Sequence, residues 1–266
     1  MHLKRWLTGI IAVPILIFLV GYAPAWAFHS ALCAAALIAL MECYALTHAG
    51  LPKTVLASHI LLTVLLFLTI EIRQVFVIPA IILGWALIPM AIFMVSPAPP
   101  DEKITSQLAK GVFGLVYVAL PLALLALIHF RLWGRAWIFF LLVVVFAGDT
   151  GAFYVGKFLG RHKLHKRISP GKTWEGAMGG LLSSLFAGIL FLLWVPIHPL
   201  NMHSVVLIML LSTAEQIGDL SESLLKRNHG IKDSGHILPG HGGILDRIDG
   251  LLFAIPVLFV YLFWSC

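Results

Sequence analysis

Apolar residues run along the chain in blocks of about 20, the length that crosses a hydrocarbon slab as a helix. Polar residues collect between the blocks. Nine blocks stand out, at 5–26, 28–47, 54–72, 74–95, 111–130, 136–157, 175–197, 203–226 and 247–265. The pattern predicts an all-α fold, a polytopic transmembrane helix bundle of about nine spans. The first two blocks are joined by so little chain that they form either a hairpin or a broken helix. No internal repeat of fixed period runs through the sequence, which speaks against an inverted-repeat transporter.

Composition agrees with lipid as the solvent. Of the 266 residues 60% are hydrophobic and only 11% charged, with a mean hydropathy of +0.98. A soluble core of this size has no room for so much apolar surface. Lys4 and Arg5 before an apolar run, with Ala25-Trp26-Ala27 after it, follow signal-peptide grammar. Apolar sequence resumes at Phe28, so the first block reads as a retained helix. Cys33, Cys43 and Cys266 lie in apolar segments without metal spacing and read as small buried side chains.

The net charge of +6 belongs to basic loops rather than to a nucleic-acid surface. With the N-terminus cytoplasmic, the loops at 48–53, 96–110, 158–174 and 227–246 face inward. Of 18 basic residues only Arg73, Arg131 and Arg135 then fall outside. An odd number of spans leaves the C-terminus outside. Charge also divides the chain near residue 135. Residues 1–135 read as a lipid-facing scaffold of N-terminal helices. Residues 136–266 read as a catalytic region with two charged cytoplasmic loops, 156–176 and 215–250.

Those two segments carry the candidate chemistry, because ionisable groups at bilayer depth mark function by default. Glu215, Asp219 and Glu222 are spaced four and three apart, followed by Ser223 and Lys226, so they share one helix face. Asp219 stands two turns before Arg227, roughly 12 Å along the axis at helical rise. Asp246 and Asp249 share a face if the ninth helix has begun there. Asp149 closes the sixth block, and Glu42 sits in the second, where a helix-packing hydrogen bond is its expected role. Carboxylates among so many cations admit two readings, a structural salt-bridge network or a Mg²⁺ site for a polyphosphate. The turn at Pro239-Gly240-His241-Gly242-Gly243 also keeps two readings, a plain tight turn or backbone amides brought close to an anion. Gly171-Lys172-Thr173 is not a nucleotide-binding P-loop, since position 166 is Lys166 where that motif needs glycine. Lys172, Thr173 and the following helix start still suit a phosphate.

The run Ser223-x-x-Lys226-Arg227, then Lys232-Asp233-x-Gly235, then Pro239-Gly240-His241-Gly242-Gly243-x-x-Asp246-Arg247-x-Asp249 resembles the signature of phosphatidate cytidylyltransferases, also called CDP-diacylglycerol synthases. Two upstream segments share the resemblance: Asp149-Thr150-x-Ala152-Phe153-x-x-Gly156 and Ser169-Pro170-x-Lys172-Thr173-x-Glu175-Gly176. Many members carry a second lysine where this chain has Gly171. The first half agrees mainly in hydropathy and in Glu42.

The resemblance implies a multi-span enzyme of the inner (plasma) membrane, usually a homodimer, with its active site facing the cytoplasm. It joins CTP to phosphatidate with Mg²⁺, potassium being a second ion of the metal centre. By position it implies Asp219 and Asp246 as metal ligands, with Asp249, Asp149 and Asp233 in supporting roles. The chemistry asks for alignment and neutralisation of two anions more than for a base. Lys226, Arg227, Lys232 and Arg247 suit the triphosphate and the leaving pyrophosphate. Lys172 and Thr173 suit a phosphate of either substrate, and Ser223, Gly240, His241, Gly242 and Gly243 complete the expected binding set. Rival readings are a CTP-dependent transferase or kinase for an isoprenoid or polyprenol, an intramembrane aspartyl protease built on Asp149 and Asp219, and an ion-coupled carrier. The protease has no use for the surrounding cations, and the carrier is disfavoured because the acids cluster toward the cytoplasmic end and the outer loops are short.

Overall fold

The computed structural model describes residues 13–96, 101–231, 234–235 and 242–264. Lys232, Asp233, Gly240 and His241, expected at the site, lie outside the described residues, as do Lys4, Arg5 and Cys266. The fold is helical. Among the described residues eight helices are long and apolar enough to cross a membrane, and a further helix, α1, occupies 13–21 within the first predicted block.

The described residues fall into two units. The first draws on Met1–Leu127 and Asp233–Asp246, the second on Ile128–Lys232 and Arg247–Cys266. In the first unit, α2 (Ala25–Leu46) and α3 (Lys53–Glu71) each start directly after a proline, Pro24 and Pro52, which presets helical φ without costing a needed N–H. They pack on each other, and α3 packs on α4 (Ile78–Val95). Helix α5 (Lys103–Gly114) continues through a π turn at Leu115–Ala119 into α6 (Leu120–His129). This span starts well before the predicted 111, because its first turns carry Thr105, Ser106, Gln107 and Lys110 and look like loop. Leu40, Leu66 and Trp85 are fully buried in this unit. So is one polar network. The Tyr44 hydroxyl lies 2.9 Å from His59 Nδ1 and donates to the Gly111 carbonyl at 3.1 Å, while His59 Nε2 meets the Trp85 carbonyl at 3.3 Å. Glycine at 111 admits the imidazole, since a Cβ there would collide with His59.

The second unit holds α7 (Gly134–Leu159), α8 (Trp174–Trp194), α9 (Met202–Asn228) and most of α10 (Leu245–Trp264). Helices α7 and α8 pack closely along their length. They meet through small residues: a Cβ on Gly151 would strike Ser183, one on Gly179 would strike Val155, and one on Gly148 would strike Ser184. Close approach through such residues is how helices gain packing energy in lipid, where burial of apolar surface supplies none. The Ser184 hydroxyl adds a bond of 2.8 Å to the Val144 carbonyl. Helix α9 opens with a reciprocal cap: Ser204 N donates to Asn201 Oδ1 at 3.0 Å and Asn201 N donates to Ser204 Oγ at 2.9 Å. It closes on Lys226 and Arg227, where cations suit the negative end of the helix.

The loop between α7 and α8 is not plain coil. Strand β1 (Lys163–His165) pairs antiparallel with β2 (Ser169–Thr173), with Lys163 opposite Thr173, His165 opposite Ser169 and a bulge between them. Glu175 clamps this hairpin from the first turn of α8, accepting the backbone N–H groups of Arg161 and His162 and lying 2.5 Å from His162 Nδ1.

Candidate functional site

The acids of α9 lie on one face, as their spacing requires, and that face turns inward. Glu215 and Glu222 are buried at 2% and 0% exposure, while Asp219 between them is about a third exposed. Three neighbouring elements converge on the row. Helix α7 brings the Asp149 carboxyl within hydrogen-bonding reach of Glu215. Strand β2 brings Lys172, whose Nζ lies 2.5 Å from Asp219 Oδ2. Helix α10 brings Arg247, whose charge acts on Asp149, and Asp249, which faces Glu222 and Asp219. Within α9, Lys226 Nζ meets Glu222 Oε2 at 2.6 Å, the expected i,i+4 pair. Ser223 Oγ lies 3.5 Å from Asp219 Oδ1. The α7–α8 packing holds Asp149 and the end of β2 in this arrangement.

Beside the row opens a cleft of about 670 Å³. Asp149, Lys172, Glu215 and Asp219 line it together with the apolar Phe153 and Leu164. Thr173 borders the cleft, and its hydroxyl oxygen is the N-cap of α8, accepting from Gly176 N at 3.1 Å. Arg227 points its Nε at the Ile168 carbonyl, 3.4 Å away, and so ties the end of α9 to the hairpin. The Gly171-Lys172-Thr173 run lies on a strand, not in a phosphate-wrapping loop.

The glycine-rich turn belongs to the first unit and has its own organisation. Asp246 Oδ2 accepts Gly243 N at 2.8 Å and Ser234 N at 3.0 Å. Gly242 has φ +80°, a conformation glycine adopts without strain. Glu42 reaches this turn from α2, where it is buried, and accepts Ile244 N at 3.2 Å and Leu245 N at 2.8 Å. The hydrogen bonds of Glu42, expected as helix packing, go to the start of α10. Its partners are backbone amides some 200 positions away, and no local pattern signals them.

The donor chemistry suits Mg²⁺. The candidate ligands are carboxylates, and Glu215 Oε2 is buried at the cleft without a hydrogen-bond donor. Among the described residues no three or more His, Cys, Asp or Glu side chains form a ready-made metal cage. Mg²⁺ does not require one, since it binds through one or two carboxylates plus substrate phosphates and water. Asp219 and Asp246 fall in different units.

The profile of the cytidylyltransferase family matches residues 3–265. The chain belongs to that family. Its relatives include the phosphatidate cytidylyltransferase of Bacillus subtilis (strain 168), 45% identical over 130 residues, which are 49% of this chain and 48% of the relative. That of Staphylococcus haemolyticus is 48% identical over 130 residues, 48% of this chain and 50% of the relative. That of Brucella suis is 44% identical over 153 residues, 58% of this chain and 56% of the relative. The chain spans about half the length of the curated relatives it matches. Membership of the cytidylyltransferase family agrees with the resemblance carried by the signature residues.

Proposed function

We propose that the protein transfers a cytidylyl group from CTP to phosphatidate, releasing CDP-diacylglycerol and pyrophosphate. A phosphate oxygen of phosphatidate forms a bond to the α-phosphorus of CTP, and the bond from that phosphorus to the bridging oxygen of the β-phosphate breaks. The nucleophile is already an anion, so positioning and charge neutralisation carry most of the barrier reduction. The observation that carries this reading is the convergence of Asp149, Glu215, Asp219 and Lys172 on one cleft that apolar side chains also line, in a chain of membrane-crossing helices matched to the family along its length. The cleft takes the phosphates against Lys172, and Phe153 and Leu164 suit the lipid's glycerol and first acyl carbons. Lys226, Arg227, Lys232 and Arg247 act on the triphosphate and the departing pyrophosphate.

Asp219 and Asp246 are the proposed Mg²⁺ ligands, with K⁺ as a second ion. When bound, the metal neutralises phosphate charge as it builds in the transition state. The protein works at the cytoplasmic face of the plasma membrane, because one substrate is soluble and the other is anchored in lipid, and it acts as a homodimer. The test is transfer in mixed micelles from CTP labelled at the α-phosphate, with and without Mg²⁺. Label entering a chloroform-soluble product only with Mg²⁺ supports the reading. Label moving only from the γ-phosphate overturns it in favour of a lipid kinase.

A further inference from the structure

Helix α10 begins at Leu245, and its first-turn acid is Asp246. A helix start leaves backbone N–H groups without intrahelical acceptors. Here two carboxylates from distant parts of the sequence divide the donors of the turn. Asp246 takes Ser234 N and Gly243 N, and Glu42 takes Ile244 N and Leu245 N. Glu42 is only 6% exposed, so its carboxylate is held by these bonds rather than by water.

The glycines of the turn carry the same message independently. A Cβ on Gly235 or on Gly243 would collide with the Glu42 carboxylate. The two positions stand eight apart in sequence yet close on one side chain. Glycine at 243 therefore makes room for Glu42, and its own N–H is spent on Asp246.

We infer that Glu42 is a positioning residue for the transfer reaction: by capping the first amides of α10 it sets where that helix starts, and hence where Asp246 is presented. The inference rests on the proposed role of Asp246 in the transfer. Misplacing a group at the reacting centre by about 1 Å costs on the order of 100-fold in rate.

The test compares the full chain with E42Q and Y44F in detergent micelles. Glutamine keeps the size of Glu42 but places an NH₂ against two amide donors. Tyr44 is on the same helix, and its hydroxyl meets His59 and the Gly111 carbonyl. Three quantities are read: amide exchange of the 242–250 peptide, kcat with both KM values, and the Mg²⁺ concentration for half-maximal rate. E42Q is expected to speed exchange about tenfold or more, the loss of one charge-assisted bond. It should lower kcat about 100-fold, leave KM for phosphatidate within about twofold and raise the Mg²⁺ requirement. Y44F should leave all three near wild type. If E42Q does not survive purification, E42D carries the same expectation, since it keeps the charge and shortens the reach. Wild-type exchange in E42Q, or faster exchange with unchanged kcat and Mg²⁺ requirement, overturns the inference. Equal losses in Y44F overturn it too, because they mark a general packing effect. If wild type transfers no cytidylyl group, the functional reading falls, and the exchange arm still judges whether Glu42 holds the turn.

Discussion

Lys172 Nζ and Asp219 Oδ2 lie 2.5 Å apart, each side chain roughly a quarter to a third exposed at the cleft. One comes from a hairpin strand, the other from the closing turns of α9. A pair this exposed contributes at most about 1 kcal/mol to stability, so it is poorly explained as a structural bolt. In the proposed reaction Lys172 is a cation kept in place until a phosphate takes it over.

Lys172→Ala should therefore cut kcat/KM for CTP about 100-fold or more, the scale of losing one charge that faces the transition state. The melting midpoint should move by no more than about 4 °C. Both are measured on one preparation. A large melting shift with proportionate activity loss would return the pair to a structural role.

Asp246→Asn isolates charge from shape. Asparagine keeps an acceptor oxygen for Ser234 N and Gly243 N, so the turn survives while a proposed metal ligand is weakened. Turnover should fall about 100-fold or more, with unchanged elution and melting. Lys103→Ala, at the start of α5, should stay within about twofold. Near-normal turnover in the Asn variant would refute the assignment of Asp246.

Chelation supplies a third test. EDTA should bring cytidylyl transfer to background, and added Mg²⁺ should restore it, because carboxylates and phosphates are the oxygen donors that ion prefers. Transfer that persists through exhaustive chelation would show that the cationic side chains suffice.

The α7–α8 contact can be tested without touching a charge. Gly179→Ala pushes a methyl into Val155, and overpacking of this kind costs about 1–3 kcal/mol. Activity should fall with stability, since that contact keeps Asp149 and Lys172 on the same cleft. A Cβ at Gly171 meets nothing, so Gly171→Lys should be tolerated in melting and in turnover. A destabilised Gly171 variant and a silent Gly179 variant would together reverse this account of the packing.

The membrane helices were legible because lipid demands long apolar runs, and only polar ends such as Thr105 to Lys110 hid a boundary. The acid row of α9 was legible because spacings of four and three fall on one helix face. The hairpin was not: Lys163 to Thr173 shows little alternation, and Pro170 argues against a strand. Thr173 reads two ways in the sequence, because a cap and an anion site ask for the same hydroxyl at a helix start. Glu42 was illegible in role, since its amide partners are 202 and 203 positions away.

That separation has a consequence for biosynthesis. At about 5–20 residues per second, the ribosome makes α2 roughly 10–40 s before Leu245 emerges. Throughout that interval α2 carries Glu42 without the amides of Ile244 and Leu245. Glu42 thus meets its amide partners only once the start of α10 has been made.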